Sequence, residues 1–250
     1  MTHAHHEISV EFAPDEHAAD SMAPREALTE ADLAERELAI ADIRGFVSDW
    51  ITKKLAETAA NKEDGSAEYS SDMTADLVYA LGTEGSPMIE RITASFDNRE
   101  KYINRPMIRL NVGKEGLSPD IWLLGWRSSD VGDDETEVHD HGNSEAAAFI
   151  HQGDVSEKVW AFDAKEWDEI KDGSVGGSMK TFTIKRELKA GTTANIAVPY
   201  IHTFSAITGK PLAVTVHGYY PPLSKMNTFQ EKDGKLVLTD SWNDEEHNHC

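Results

Sequence analysis

The second part of this 250-residue chain consists of short β-type segments separated by turn residues, and this pattern constrains the fold more than any other feature of the sequence. After about residue 104, β-branched and aromatic residues concentrate in segments that Gly, Asp, Ser and Pro interrupt. The predicted strands span residues 107–112, 121–126, 147–150, 158–162, 180–188, 193–198, 204–208 and 212–220. A later hairpin is predicted to turn at Asp233-Gly234. Short strands at this spacing predict a sandwich or a barrel.

The first third of the chain has helical periodicity instead. Thr29 and Asp32 form a capping-box pattern, after which apolar residues recur with a period of 3.6 residues. A short helix is predicted over residues 73–81, and Ser86-Pro87 predicts another helix with Ser86 as its N-cap. We therefore expect a disordered tail over residues 1–24, a helical region over 25–104 packed on a β domain over 105–240, and a polar tail over 241–250.

Composition excludes several classes of function. The chain has 45 acidic and 24 basic residues and a formal net charge of −21, so a nucleic acid or an anionic membrane surface is an unsuitable partner. Its one cysteine, Cys250, excludes a disulfide framework and a thiolate-rich metal site. No apolar run reaches the roughly 20 residues of a transmembrane helix, and the first residues contain no apolar signal-peptide region. We expect a cytoplasmic protein.

The histidines of the β region form the pattern that points to chemistry. His139 and His141 form an H-x-H pair, and residues i and i+2 of an extended chain point to the same side. Two such imidazoles can converge on one metal ion, and His202, between two β segments, is the best third ligand. The other histidines have simpler interpretations: those near the termini lie in polar tails, and His151 is expected to be structural.

The surroundings of these histidines resemble the two motifs of the cupins. After His141, a glycine turn and the strand AAAFI follow, and GTTANIAVPYIHTF resembles the second motif, which supplies the third histidine. Cupins are double-stranded β-helix barrels, jelly-roll-like, that hold one metal ion in the barrel mouth. The resemblance implies a mainly β fold of this kind with an α-helical N-terminal segment. Glu145 is the alternative fourth ligand, although Ala146 better fits the position where many cupins carry a glutamate.

A more specific resemblance is to the cysteine dioxygenase family of thiol dioxygenases. TVHGYYPPL, residues 215–223, resembles the family signature Ser-x-His-x-Tyr-x-Pro-Pro, and IWLLGW, residues 121–126, resembles the strand that precedes H-x-H. VHDHGNS resembles the bacterial members. Together these motifs cover about residues 100–225.

The resemblance implies a role for each matching residue. His139, His141 and His202 would bind Fe(II), and Arg109 would pair with a substrate carboxylate. Tyr219 would present its hydroxyl near the bound sulfur and oxygen, and His217 and Thr215 would form a relay behind it. Tyr220-Pro221 is a candidate cis peptide. Trp126 is expected in the barrel core.

The sequence also departs from the family pattern. Ala146 stands where animal members carry the cysteine that is cross-linked to the site tyrosine, so no cross-link can form. Met107 replaces an aromatic residue, and extra residues precede His139 and occur around residues 165–177. Residues 128–157 contain at least eight acids and no Lys or Arg, which makes an inward arginine more necessary for a carboxylated substrate.

The function that the resemblance implies is oxidation of a small carboxylated thiol, such as cysteine or a related mercapto acid, to its sulfinate with O2. Two alternatives remain at this stage. One is a cupin metalloenzyme of other chemistry, namely a carbon-bond dioxygenase, an isomerase or a decarboxylase. The other is a non-catalytic cupin that binds a metal or a ligand.

Overall fold

The computed structural model describes residues 29–94, 96, 107–110, 119–129, 132–170 and 174–243. Four helices are present there: α1 (Glu30–Ala60), α2 (Ser71–Thr83), α3 (Ser86–Thr93) and α4 (Ala164–Ile170). The predicted N-terminal tail and the last seven residues of the C-terminal tail lie outside the described residues.

The helices begin largely where the sequence predicts. The capping box of α1 is confirmed, since Thr29 Oγ1 accepts from the backbone N–H of Asp32 at 3.1 Å and the Asp32 carboxylate accepts from the backbone N–H of Thr29 at 3.0 Å. The predicted N-cap of α3 is wrong by one residue: Gly85 is the N-cap, and Ser86 is already helical. The Ser86 hydroxyl donates instead to the carboxylate of Glu90, one turn further on, at 3.0 Å.

All eight predicted strands are present in the described residues, with shifts of a few positions at their ends. The strands are β1 (Met107–Leu110), β2 (Asp120–Trp126), β3 (Ser128–Ser129), β4 (Gly132–Asp133), β5 (Val138–His139), β6 (Glu145–Gln152), β7 (Asp154–Phe162), β8 (Ser178–Lys189), β9 (Thr193–Ile196), β10 (Ile201–Ala206), β11 (Ala213–Tyr220), β12 (Lys225–Lys232) and β13 (Lys235–Asn243). The hairpin between β12 and β13 turns at Asp233 and Gly234, which both have positive φ, 52° and 70°. This turn is as predicted.

The strands form one five-stranded sheet and one closed barrel. The sheet has the order β1-β2-β11-β6-β9, and the barrel has the order β10-β5-β12-β13-β8-β7. All of the pairings are antiparallel. The predicted class, mainly β with a barrel and an α-helical N-terminal segment, is confirmed.

The five-stranded sheet has two buried faces, and strand alternation decides what each face contacts. On β2, Ile121 and Leu123 pack with the buried residues of α1, α2 and α3. Leu124 and Trp126, on the opposite face, pack with residues of the barrel strands such as Phe204 of β10. The helices therefore cover one face of the sheet, and the other face is left for the site.

One predicted insertion contains a helix that the sequence analysis did not predict. Within the segment around residues 165–177, α4 buries Trp167 and Ile170 against a third apolar cluster with Phe229. Its aromatic and aliphatic residues lie three apart, which is a helical spacing. The extra residues before His139 include the short β3–β4 hairpin.

Candidate metal centre

The H-x-H pair lies where β5 ends. His139 is the last residue of that strand, His141 follows in the connection to β6, and both side chains are buried. Between them, the buried carboxylate of Asp140 accepts hydrogen bonds from the backbone N–H of Gly142 at 2.9 Å and from the backbone and side-chain N–H groups of Asn227 at 3.0 and 2.7 Å. Asp140 thus ties this connection to β12. Burial raises the pKa of Asp140, and the hydrogen bonds from Asn227 and Gly142 oppose that shift.

The turn after His141 requires a glycine. Gly142 has φ of 57°, a left-handed conformation that side chains disfavour. A Cβ at this position would also lie 2.8 Å from the carbonyl oxygen of Lys225. The connection between the two histidines and β6 can therefore lie directly against the start of β12.

His202, the predicted third member, lies on β10 directly opposite His139. The register of β10 and β5 pairs these two residues. The Nε2 atom of His141 lies 3.2 Å from that of His139 and 3.3 Å from that of His202. Within the described residues, these three side chains are the only group of His, Cys, Asp or Glu whose ligand atoms could hold a metal ion, and those atoms lie within 4.8 Å of one another.

In His139 and His202, Nδ1 faces a hydrogen-bond acceptor, and this determines whether Nε2 carries a proton or a free lone pair. His139 Nδ1 lies 2.8 Å from the carbonyl oxygen of Glu137, and His202 Nδ1 lies 2.9 Å from a carboxylate oxygen of Glu157. Neither oxygen can donate, so in the neutral rings Nδ1 carries the proton. Nε2 of both rings therefore directs a lone pair into the shared space.

These features fit a divalent metal ion. An ion about 2.1 Å from imidazole nitrogens holds neighbouring ones about 3.0–3.4 Å apart, and the two separations of His141 Nε2 from the other rings, 3.2 and 3.3 Å, lie in this range. Burial lowers the pKa of His141 and of His202 well below 6.5, and the charges of the neighbouring histidines act in the same direction. These two rings are therefore neutral at neutral pH, which is the form that binds a metal.

Tyr219 lies beside the three histidines. Its ring centroid is 5.0 Å from that of His141 and 6.2 Å from that of Trp122, and the residue is buried. The ring of His217 stacks against it with centroids 6.3 Å apart. Residues 217 and 219 of β11 share the face of the sheet that contacts His141 and Phe204, because side chains alternate along a strand.

The proposed relay residues are in contact with each other and with a tryptophan. Nε2 of His217 lies 2.9 Å from Thr215 Oγ1, and Trp126 Nε1–H donates to the same hydroxyl at 2.8 Å. Because Trp126 supplies a donor, Thr215 can direct its own proton to His217. Trp126 is fully buried, as expected of a core residue, and it also holds Thr215 in place.

Arg109 lies on the same face, on β1, which is separated from β11 by β2. It is paired with Trp122 in the register of β1 and β2, and its guanidinium lies 5.3 Å from the Trp122 ring. The guanidinium also donates to the carboxylate of Asp120 at 2.9 and 2.8 Å, and to the carbonyl oxygen of Leu223 at 3.4 Å. Asp120 is opposite Tyr219 in the register of β2 and β11. The structure thus gives Arg109 an internal carboxylate partner that the sequence analysis did not predict.

Other residues singled out in the sequence have clear positions. Ala146 is buried directly opposite Tyr219 in the register of β6 and β11. Glu145 is exposed and is not part of the three-histidine group. His151 faces α2, with Nδ1 3.1 Å from the carbonyl oxygen of Gly82. Tyr220-Pro221 is a cis peptide, as expected.

The sequence analysis missed Glu157 and Arg186. The Glu157 carboxylate contacts His202 and also accepts a hydrogen bond from Arg186 Nε on the adjacent strand. A signal exists in the sequence, because Glu157 stands between Val155 and Val159 at the spacing that puts side chains on one face of a strand. An acid on an otherwise apolar strand face indicates a buried, partnered carboxylate.

Comparison with known proteins agrees with this arrangement. The sequence matches the family model of cysteine dioxygenase type I over residues 68–232, which is more than half of the chain. The chain belongs to the cysteine dioxygenase type I family. The match includes the three histidines and Tyr219, so the family resemblance seen in the sequence motifs is confirmed. A comparison with curated proteins finds no match.

Solved structures similar to this member of the cysteine dioxygenase type I family include oxalate oxidase in complex with glycolate and the oxalate decarboxylase formate complex from Lactobacillus farciminis. The first is 10% identical over 46% of this chain and 50% of that chain, with a TM-score of 0.33. The second is 15% identical over 47% of this chain and 29% of that chain, with a TM-score of 0.33. This chain therefore spans half of the length of the oxalate oxidase that it matches. No helix among the described residues is long and apolar enough to cross a membrane.

Proposed function

We propose that this protein is an Fe(II)-dependent thiol dioxygenase that converts a small thiol to its sulfinate with O2. The observation that supports this most is the group of three buried histidines beside Tyr219, in a chain of the cysteine dioxygenase type I family. The residues that would hold the ion are His139, His141 and His202. A bound Fe(II) would supply coordination positions for a thiolate and for O2.

The side chains around the ligands would orient and stabilise the reactants. Tyr219 would direct its phenol hydroxyl toward the reacting sulfur and oxygen atoms, since its ring lies against His141. His217 would hold the Tyr219 ring from behind, and Thr215 would hold His217 through their 2.9 Å contact. These contacts restrict the rotation of Tyr219, which lowers the entropy that must be lost to reach a reactive geometry.

Arg109 would bind the carboxylate of a carboxylated thiol. Its planar guanidinium can make two parallel hydrogen bonds to a carboxylate, and its place on the inner face next to Trp122 supports this role. Because Asp120 already accepts hydrogen bonds from Arg109, a substrate carboxylate would share this guanidinium with Asp120 or displace it. This competition gives a reason to compare thiols with and without a carboxylate.

The test is O2 consumption by the iron-loaded protein with a panel of thiols. Cysteine and 3-mercaptopropionate represent carboxylated substrates, and cysteamine represents a thiol without a carboxylate. We expect O2 uptake and an equal amount of sulfinate with at least one of them, and a strong loss of turnover in Tyr219→Phe. Absence of O2 uptake with every thiol would contradict the proposal. Turnover of a different substrate would then favour other cupin chemistry. Metal binding without turnover of any substrate would favour a non-catalytic role.

The role of Arg109 is tested with Arg109→Lys. Loss of paired, charge-assisted hydrogen bonds costs about 1.5–3 kcal/mol, so KM for a carboxylated thiol should rise about 10- to 100-fold while that for cysteamine changes little. Arg91→Lys, at an exposed ion pair on α3, is the matched control and should leave both values unchanged. An equal change of KM for both kinds of thiol would argue against carboxylate binding by Arg109.

A further inference from the structure

A carboxylate with no solvent exposure lies directly behind one of the three histidines. Glu157 is on β7, its side chain is 0% exposed, and its Oε1 atom lies 2.9 Å from Nδ1 of His202. Its other oxygen, Oε2, accepts from Nε of Arg186. The two side chains meet because Glu157 and Arg186 are opposite each other in the register of β7 and β8.

The burial of Glu157 has a cost that its two partners offset. An ionised carboxylate in the protein interior is unfavourable unless it is paired and hydrogen-bonded. Arg186 provides the opposite charge from a strand whose outer part is open to solvent, and its side chain is 41% exposed. Burial raises the pKa of Glu157, and the hydrogen bond and charge of Arg186 oppose that shift.

Two of the three imidazoles, those of His139 and His202, differ in the group that faces Nδ1. His139 Nδ1 faces a neutral backbone carbonyl oxygen, that of Glu137. His202 Nδ1 faces an anionic carboxylate that a cation orients. An anionic acceptor draws the Nδ1 proton more strongly than a neutral one, and this increases electron density at Nε2.

We propose that Glu157 is a positioning residue for the metal centre: it holds the His202 ring with Nδ1 protonated and makes His202 a stronger electron donor than His139. Arg186 keeps the carboxylate aligned with the ring. This inference rests on the proposed metal-binding role of the three histidines. It requires no contact between Glu157 and the substrate.

Glu157→Gln tests the proposal, because it keeps the shape of the side chain and removes its charge. The amide has only one oxygen, whereas His202 Nδ1–H and Arg186 Nε–H both need an acceptor. The metal-free full-length protein is titrated with Co(II), which is followed by its visible absorption. We expect the dissociation constant to rise about 10- to 100-fold. In the iron-loaded protein, we expect the Fe(III)/Fe(II) midpoint potential to rise, since a weaker donor stabilises Fe(III) less.

Glu231→Gln is the matched control. It makes the same change at an exposed ion pair with Lys158, the residue that follows Glu157. This variant should bind Co(II) as the unmodified protein does. Equal Co(II) affinity and equal midpoint potential in Glu157→Gln and Glu231→Gln would overturn the proposal. A lower melting temperature of Glu157→Gln would not rescue it, because a merely structural role would change the melting temperature alone.

A second variant keeps the test decisive if Glu157→Gln does not fold. Arg186→Gln retains the carboxylate behind His202 and removes the group that aligns it, so Co(II) affinity should fall by about two- to tenfold. Unchanged affinity in that variant would overturn the proposal. If the unmodified protein binds Co(II) but oxidises no thiol, the proposed activity fails while the role of Glu157 can still be measured. If thiol oxidation is observed and Glu157→Gln binds Co(II) normally, only the role of Glu157 fails.

Discussion

The methyl group added by Gly218→Ala would test how closely α2 packs on the strand that carries the site residues. Gly218 lies on β11 between His217 and Tyr219, and its missing side chain would face α2. A Cβ built there would lie 2.7 Å from Thr74 Cγ2 and 2.8 Å from Val78 Cγ1. Ordinary carbon contacts are about 3.5–4.0 Å long, so the helix or the strand would have to move by about 1 Å.

The magnitude follows from how little these neighbours can yield. Thr74 is 1% exposed and Val78 is 0% exposed, and both are β-branched residues with restricted χ1 rotation. Overpacking of this kind costs about 1–3 kcal/mol. If the strand moves instead of the helix, Tyr219 moves with it, and a displacement of about 1 Å near reacting groups can lower turnover about 100-fold.

The assay is urea denaturation followed by tryptophan fluorescence, together with O2 uptake. Gly45→Ala is the matched control, because Gly45 lies inside α1 with no atom within 4 Å of its added Cβ, and the same change there should stabilise the protein by about 1 kcal/mol. In Thr74→Ser/Gly218→Ala, the removed methyl group should restore part of the loss, with a coupling energy of at least about 0.5 kcal/mol. If Gly218→Ala is as stable as the unmodified protein, the packing argument is refuted.

Other perturbations test the buried polar contacts and the metal. Asn227→Ala removes the side-chain donor of Asp140 and should lower the free energy of unfolding by about 1.5–3 kcal/mol in urea denaturation; an unchanged value would contradict this. Burial raises the pKa of Tyr69 above 10.0, so above that pH the unfolded chain loses the phenol proton first and stability falls. Tyr69→Phe should make the decrease of stability with pH shallower by up to about 1.4 kcal/mol per pH unit, and an equal slope would argue against the shift. Chelation of the metal should lower the melting temperature, since free metal at about 100 times its dissociation constant contributes about 2.7 kcal/mol; scans that coincide would contradict metal binding to the folded state.

Much of the fold could be predicted because its signals are local. The alternation and length of the β segments, the capping box at Thr29 and the turn at Asp233-Gly234 depend on neighbouring residues, and the structure has each of them. The predicted start of α3 was wrong by one residue. Ser86-Pro87 satisfies the N-cap pattern, but Gly85 is the N-cap in the structure. Helix α4 was missed because it lies in a short segment that was interpreted only as extra length.

The candidate site could be predicted in part, for a related reason. The H-x-H spacing puts His139 and His141 on one side of the chain, and the family motifs add His202 and Tyr219. The carboxylates that contact the site could not be predicted. Glu157 contacts His202, Asp140 contacts Asn227 and Asp120 contacts Arg109. Each pair forms only because strands pair or because segments far apart in the sequence approach each other.

The sequence by itself determined the classes of element, their order, the histidines that could bind a metal and, through its motifs, the family. Only the tertiary structure decided the strand register, and a register shifted by one residue would turn every inward side chain outward. The register therefore decides that His202 faces His139 and that Ala146 faces Tyr219. It also decides that a buried carboxylate lies behind His202 and that Arg109 already has an acidic partner.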